Sequence, residues 1–149
     1  MVTAVSDIYS DALKAALIKR RTEKEVSDIL KRKGYGENEA KEAAAYYREK
    51  GYINHEDFAV KYSHDAAYIK GQGPMRIRMT LEEKGIEDEF IENALSETKF
   101  EIKSLMAKKY GEDVEKTYKE IVKIKNHFYL KGFPMSLIDD AIKELYHIV

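Results

Sequence analysis

Four histidines, seven serines and no cysteine are the side chains on which catalysis or metal binding would have to rest. His55-Glu56-Asp57 and His64-Asp65 have the residue types of an acid/base pair or a metal site. A metal site needs three or four converging ligands, and helical spacing does not bring these together. They read as exposed polar residues near helix caps. The serines Ser6, Ser10, Ser27, Ser63, Ser96, Ser104 and Ser136 sit at helix ends or on helix surfaces, and none lies in a glycine-rich elbow. Gly71-Gln72-Gly73-Pro74 is glycine-rich, but it lacks the Gly-Lys-Ser/Thr ending of a phosphate loop and follows no strand. It reads as a helix-to-helix turn. The carboxylate pairs Glu82-Glu83 and Asp139-Asp140 are adjacent, and adjacent helix residues point about 100° apart. No group here argues for an enzyme, a metal or a cofactor.

Recognition is the chemistry that remains. Lys19, Arg20 and Arg21 close the first helical stretch, and Lys70, Arg76 and Arg78 bracket the Gly-Pro corner. An arginine in such a place can fork onto a carboxylate or a phosphate. It can equally serve only to keep a helix soluble. Tyr46 and Tyr47 are adjacent, so one seam cannot hold both; Tyr47 fits the inner row and Tyr46 is a candidate exposed aromatic contact. The candidate partner-binding residues are therefore Arg20, Arg21, Tyr46, Lys70, Arg76 and Arg78.

Helices must position these residues. Ile8, Ala12 and Ala16 with Tyr9, Leu13 and Leu17 make one apolar face over 7–19. Thr22-Glu23-Lys24-Glu25 is a capping-box pattern; it opens a helix with Val26, Ile29 and Leu30 inside. A third helix runs from about 37 to 50, with Ala40, Ala43, Ala44 and Tyr47 inside. Asn54 caps the next, whose inner row is Phe58, Tyr62, Ala66 and Ile69. Pro74 suits a first helical turn, with Ile77 and Leu81 as core contacts. Residues 88–97 follow, with Phe90, Ile91, Ala94 and Leu95. The last three helices are one around Ile102, Leu105 and Met106, a longer one over about 114–131 with Tyr118, Ile121, Val122 and Phe128, and one from Pro134 with Ile138, Ala141, Ile142 and Leu145. No stretch shows sustained strand alternation.

A recurring phrase orders these helices. LKRKGYGENEAKEAA, LEEKGIEDEFIENAL and FYLKGFPMSLIDDAI align on Gly34, Gly85 and Gly132. A lysine precedes each glycine and a large apolar residue follows it: Tyr35, Ile86 and Phe133. Leu30, Leu81 or Phe128 stands four residues before, and Ala43, Ala94 or Ala141 nine after. Such a period marks a repeat architecture. Each copy reads as helix, left-handed glycine stop, corner, helix. The expected fold is all-α, with three tandem repeats of a three-helix unit in an elongated, curved array. The chain is expected to be one domain, with repeats at about 7–51, 54–98 and 100–147.

A net charge of −1, from 26 basic and 27 acidic residues, argues against coating nucleic acid by bulk charge. The charge is uneven: residues 19–33 carry +4 and residues 82–97 carry −6. The missing cysteines fit a reducing compartment. The N-terminal stretch lacks the pattern of a signal peptide, and no apolar run suits a membrane span. A soluble, cytoplasmic monomer is expected.

Five stretches together carry a resemblance: Arg20-Arg21-Thr22-Glu23-Lys24-Glu25; Leu30-Lys31-Arg32-Lys33-Gly34-Tyr35; Lys50-Gly51-Tyr52-Ile53-Asn54-His55-Glu56-Asp57-Phe58-Ala59; Gly73-Pro74-Met75-Arg76-Ile77-Arg78; and Leu81-Glu82-Glu83-Lys84-Gly85-Ile86. In this order and spacing they resemble the RecX family of bacterial regulatory proteins, over about residues 10–145. The family usually has an acidic residue where Asn54 or His55 stands, and more arginine before its last glycine than His127-Phe128-Tyr129-Leu130-Lys131. The resemblance implies a three-repeat member without extensions. It implies a partner, the RecA recombinase filament on single-stranded DNA, whose growth, ATP hydrolysis, strand exchange and co-protease activity in the SOS response it would limit. Weak direct DNA binding is a secondary expectation. A DNA-binding module akin to helix-turn-helix units is the alternative from a different class.

Overall fold

The computed structural model describes residues 4–149, with side chains from Ile8 onward. The reading of the N-terminal stretch as lacking a signal-peptide pattern falls in part, at Met1–Thr3, outside the described residues, as does the reading of the Ser6 side chain. Nine α-helices follow in order among the described residues: α1 (Ala4–Ile18), α2 (Glu23–Arg32), α3 (Glu37–Glu49), α4 (His55–Tyr68), α5 (Pro74–Glu83), α6 (Asp88–Glu97), α7 (Ile102–Tyr110), α8 (Tyr118–Leu130) and α9 (Met135–Leu145). The helical fold expected from the periodicity is the fold observed.

The aligned glycines end their helices in one way. Gly34, Gly85 and Gly132 all have positive φ. The residue after each glycine donates its N–H to the carbonyl five positions back: Tyr35 to Leu30 (3.2 Å), Ile86 to Leu81 (3.0 Å), Phe133 to Phe128 (3.1 Å). Each glycine N–H bonds a carbonyl three back, on Lys31, Glu82 or Tyr129. This is the Schellman arrangement, whose usual companion is an apolar contact between the same two residues that share the outer bond. That contact explains why the positions four before and one after each glycine are large and apolar. Helix starts are equally local. Thr22 and Glu25 form a complete capping box, as do Thr117 and Glu120, and Asn54 Oδ1 accepts the Asp57 N–H at 3.0 Å.

The chain forms two compact units, Met1–Lys61 with Leu81–Ala94, and Tyr62–Thr80 with Leu95–Val149. In the first, α1 and α2 pack on α3, with a core of Ile8, Ala12, Val26, Leu30, Ala43 and Ile53 among others. Three alanines from α1 and three from α3 lie in that core, and such small residues let helix backbones approach closely. In the second, α9 packs on α7 and α8, around Met106, Ile124, Phe128, Phe133, Ile138 and Leu145.

The second unit corrects three expectations. The stretch 114–131 is not one helix: β1 (Val114–Lys116) precedes α8, and it pairs in parallel with β2 (Tyr146–Ile148). Three-residue strands are too short to show alternation, and their pairing joins residues far apart in sequence. The long helical connection between them is what a parallel pair requires. Tyr118 is therefore the first residue of α8 and is 74% exposed; Val122 also faces outward, and Ile124 fills the core instead. Ile69 lies past the end of α4 and is 78% exposed, so it is no member of the inner row. In the first unit Leu17 is likewise exposed, because Ala15 and Ala16 take the inward positions at the end of α1.

Candidate partner-binding surfaces

In the first unit Arg20 and Arg21 stand in the connector between α1 and α2. Arg20 Nε bonds Asp57 Oδ2 at 2.8 Å, and Arg21 Nη1 donates to the Ala15 carbonyl at 2.6 Å. Each guanidinium thus spends one of its donors on its own placement. Lys19, Tyr52 and Asn54 join them around an open hollow of about 410 Å³. Tyr46 is 44% exposed. Its ring meets Tyr9 and Tyr47 edge-on, with centroids 5.3 and 5.0 Å away, and Tyr47 meets Tyr52 in turn. The Lys50 ammonium lies 5.5 Å from the Tyr46 centroid.

A buried histidine at the start of α4 bonds the start of α2 in the same unit. His55 is only 3% exposed, which corrects its reading as an exposed cap residue. Its Nε2 accepts the Glu23 N–H at 2.9 Å, and Nδ1 faces Glu87 Oε1 at 2.6 Å. A backbone N–H can only donate, so Nε2 is the acceptor and the ring proton sits on Nδ1. Glu23 is the first residue of α2, one of the helix-start positions whose N–H has no helical partner; the imidazole supplies it. Arg48 Nη2 grips Glu87 Oε2 at 2.6 Å. Burial pushes the Glu87 carboxyl up, but the bonds from His55 and Arg48 outweigh it and hold the group below its ordinary range. Glu25 shows the same contest: burial raises it, and Lys84 with the Thr22 backbone N–H brings it below its usual value. No spacing rule signals such a node, since 32 residues separate His55 from each of its partners.

In the second unit Lys70, Arg76 and Arg78 lie at and after the Gly71-Gln72-Gly73 turn. Backbone bonds tie this turn to the corner after α8. Gly73 N–H donates to the Lys131 carbonyl at 2.8 Å, and Met75 N–H to Gly132 at 2.9 Å. The approach is so close that a Cβ on Gly73 would stand 2.5 Å from the Gly132 oxygen. Arg76 is exposed, with Nη1 on the Leu130 carbonyl at 3.2 Å. Arg78 is half-buried, and Lys70 is exposed, its carbonyl receiving Lys131 Nζ at 3.3 Å. Arg20, Arg21 and Arg76 are thus held by named hydrogen bonds within their units. Gly71-Gln72-Gly73-Pro74 is indeed a turn between helices.

Comparison with known proteins bears on this arrangement. A family profile described as the second three-helix domain of RecX matches residues 54–95. The Regulatory protein RecX of Clostridium botulinum strain Eklund 17B is 33% identical over 132 residues, 83% of this chain and 61% of that protein. Its counterpart in strain Alaska E43 is 33% identical over 141 residues, covering 89% and 66%. The crystal structure of RecX from Lactobacillus salivarius superposes with a TM-score of 0.75 at 29% identity, over 95% of this chain and 96% of that one. The chain belongs to the RecX family. It spans less than two thirds of the length of the clostridial RecX proteins it matches. Three of the five stretches that carry the resemblance overlap this profile match, at 54–59, 73–78 and 81–86. No described helix is long and apolar enough to cross a membrane.

Proposed function

We propose that this RecX-family chain binds the RecA filament on single-stranded DNA and inhibits its recombinase, ATPase and co-protease activities, so modulating DNA repair and the SOS response. In this reading it acts in the cytoplasm, as a monomer, without catalysis of its own. Arg20, Arg21 and Tyr46 on the first unit, and Lys70, Arg76 and Arg78 on the second, are the contacts. The three glycine-anchored repeats are its structural periods. One observation supports the reading above others: the likeness to proteins named Regulatory protein RecX runs along more than four fifths of this chain. The near-neutral charge suits a protein surface with interspersed phosphates better than bare DNA. The arginines suit such a target, because a guanidinium can fork onto carboxylate or phosphate.

The test is the ATPase rate of RecA on single-stranded DNA, titrated with this protein near physiological salt. Loss of activity at substoichiometric protein points to capping or disassembly of the filament. Loss only when the protein approaches one copy per several RecA subunits points to coating of the filament. No loss at any ratio, together with salt-sensitive binding to DNA alone, replaces this reading with the DNA-binding module.

A further inference from the structure

We propose that the second unit carries a nucleotide-binding site, in which a base with an exocyclic amino group sits in an apolar hollow and its phosphate in an adjoining hollow lined by lysines. The first hollow encloses about 200 Å³ and its apolar wall is Ala67, Phe100, Leu105 and Phe133. Phe133 is fully buried and Phe100 stands edge-on to it, ring centroids 6.4 Å apart. Tyr68 completes the wall, its hydroxyl already fixed by the Lys99 N–H at 2.8 Å. A flat apolar ring suits such a lining of aromatic and aliphatic side chains.

The polar groups on that wall select among rings. Gln72 lines the hollow, and its Oε1 is buried with no hydrogen-bond partner. A buried acceptor left unsatisfied is costly, and an incoming N–H donor removes the cost. Glu101, the one carboxylate on the same wall, is a second acceptor. Lys99, Ser104 and Lys108 add donors to the same wall, so the two acceptors set the choice only at an amino group, which adenine, cytosine and guanine present and thymine does not.

The second hollow, about 490 Å³, shares Tyr68, Leu105 and Lys108 with the first. Lys70, Lys108, Lys109 and Lys131 line it with His127, and no carboxylate does. The positive field there is felt by His127: burial, and then the charges of Lys109 and Lys131, hold its pKa below the ordinary histidine value. A phosphate is the complement of a concavity lined by four lysines and no carboxylate. The two hollows together offer an apolar seat and an anion seat joined by shared residues, as one nucleotide requires. The site shares Lys70 with the proposed filament contacts, but binding of a free mononucleotide is read without RecA, so its failure leaves the filament reading standing.

Calorimetric titration of the full chain with AMP, CMP and TMP tests the proposal, with adenosine and inorganic phosphate as partial probes. Saturable binding of AMP or CMP at one per chain is expected, with TMP, adenosine and phosphate each at least about tenfold weaker. Lys108→Glu with Lys109→Glu should weaken AMP by about tenfold or more. Gln72→Leu should erase the preference over TMP while leaving the phosphate contribution intact; melting curves of each variant confirm folding. Competition by short oligo(dA) distinguishes the two sources of the ligand: a strand unit if the oligomer binds more tightly than AMP, a free nucleotide if it does not. No saturable binding by any nucleotide up to millimolar concentration overturns the proposal. So does displacement by phosphate as effective as by AMP, which would leave only a cationic patch.

Discussion

His55 and Glu87 show what single residues contribute. The carboxyl of Glu87 is held below its ordinary value of 4.5 in the folded chain. A group with a depressed folded pKa adds stability that is present above its unfolded pKa and lost as pH falls through the folded one. The same holds for Glu25. Acidification below about pH 4.5 should therefore destabilise the first unit. Glu87→Gln should lower the melting temperature at neutral pH, and the gap to wild type should narrow as the pH is taken below the glutamate range. A gap that stays constant with pH would mean that Glu87 acts by packing rather than charge. Reversing Arg76 and Arg78 together to glutamate should leave melting nearly unchanged and weaken filament binding, read by cosedimentation with RecA on single-stranded DNA. Normal binding by that variant would move the contact face elsewhere.

Helix ends are the natural test at the scale of elements. Gly85 sits at φ +82°, and a Cβ there would meet the Lys24 Cβ at 3.2 Å. A β-branched residue resists this conformation, so Gly85→Val should cost about 1–3 kcal/mol, readable from urea unfolding. Unchanged stability would remove the cap assignment. The start and stop of most helices were legible in sequence because their determinants are local: a threonine with a glutamate three residues on, or a lysine-glycine-apolar triplet. The parallel pairing of β1 and β2 was not legible. Val114 and Tyr146 become partners only once α8 and α9 have folded between them, and no local rule reaches that far.

At the scale of the whole molecule, two cores share one chain. Leu30 is fully buried in the first, and Leu30→Ala should cost about 2–5 kcal/mol. Amide exchange should then rise more in Met1–Lys61 and Leu81–Ala94 than in the other unit. A uniform rise throughout would instead make the chain a single cooperative block.

The sequence by itself determined the helical class, the repeat, the glycine stops and the family. Each of these is written in spacings of a few residues, where steric and hydrogen-bonding rules act on neighbours. Tertiary structure alone decided which outward or inward reading prevailed. Ile69 and Tyr118, apolar and in helical register, ended exposed because nothing covers the ends of α4 and α8 at those points. His55, polar and beside a cap, ended buried because Glu23 and Glu87 came to meet both of its nitrogens. Lys70, Lys108, Lys109 and Lys131, scattered along the chain, became one concavity. Burial and charge density are properties of what surrounds a residue, and the surroundings exist only after the chain has folded.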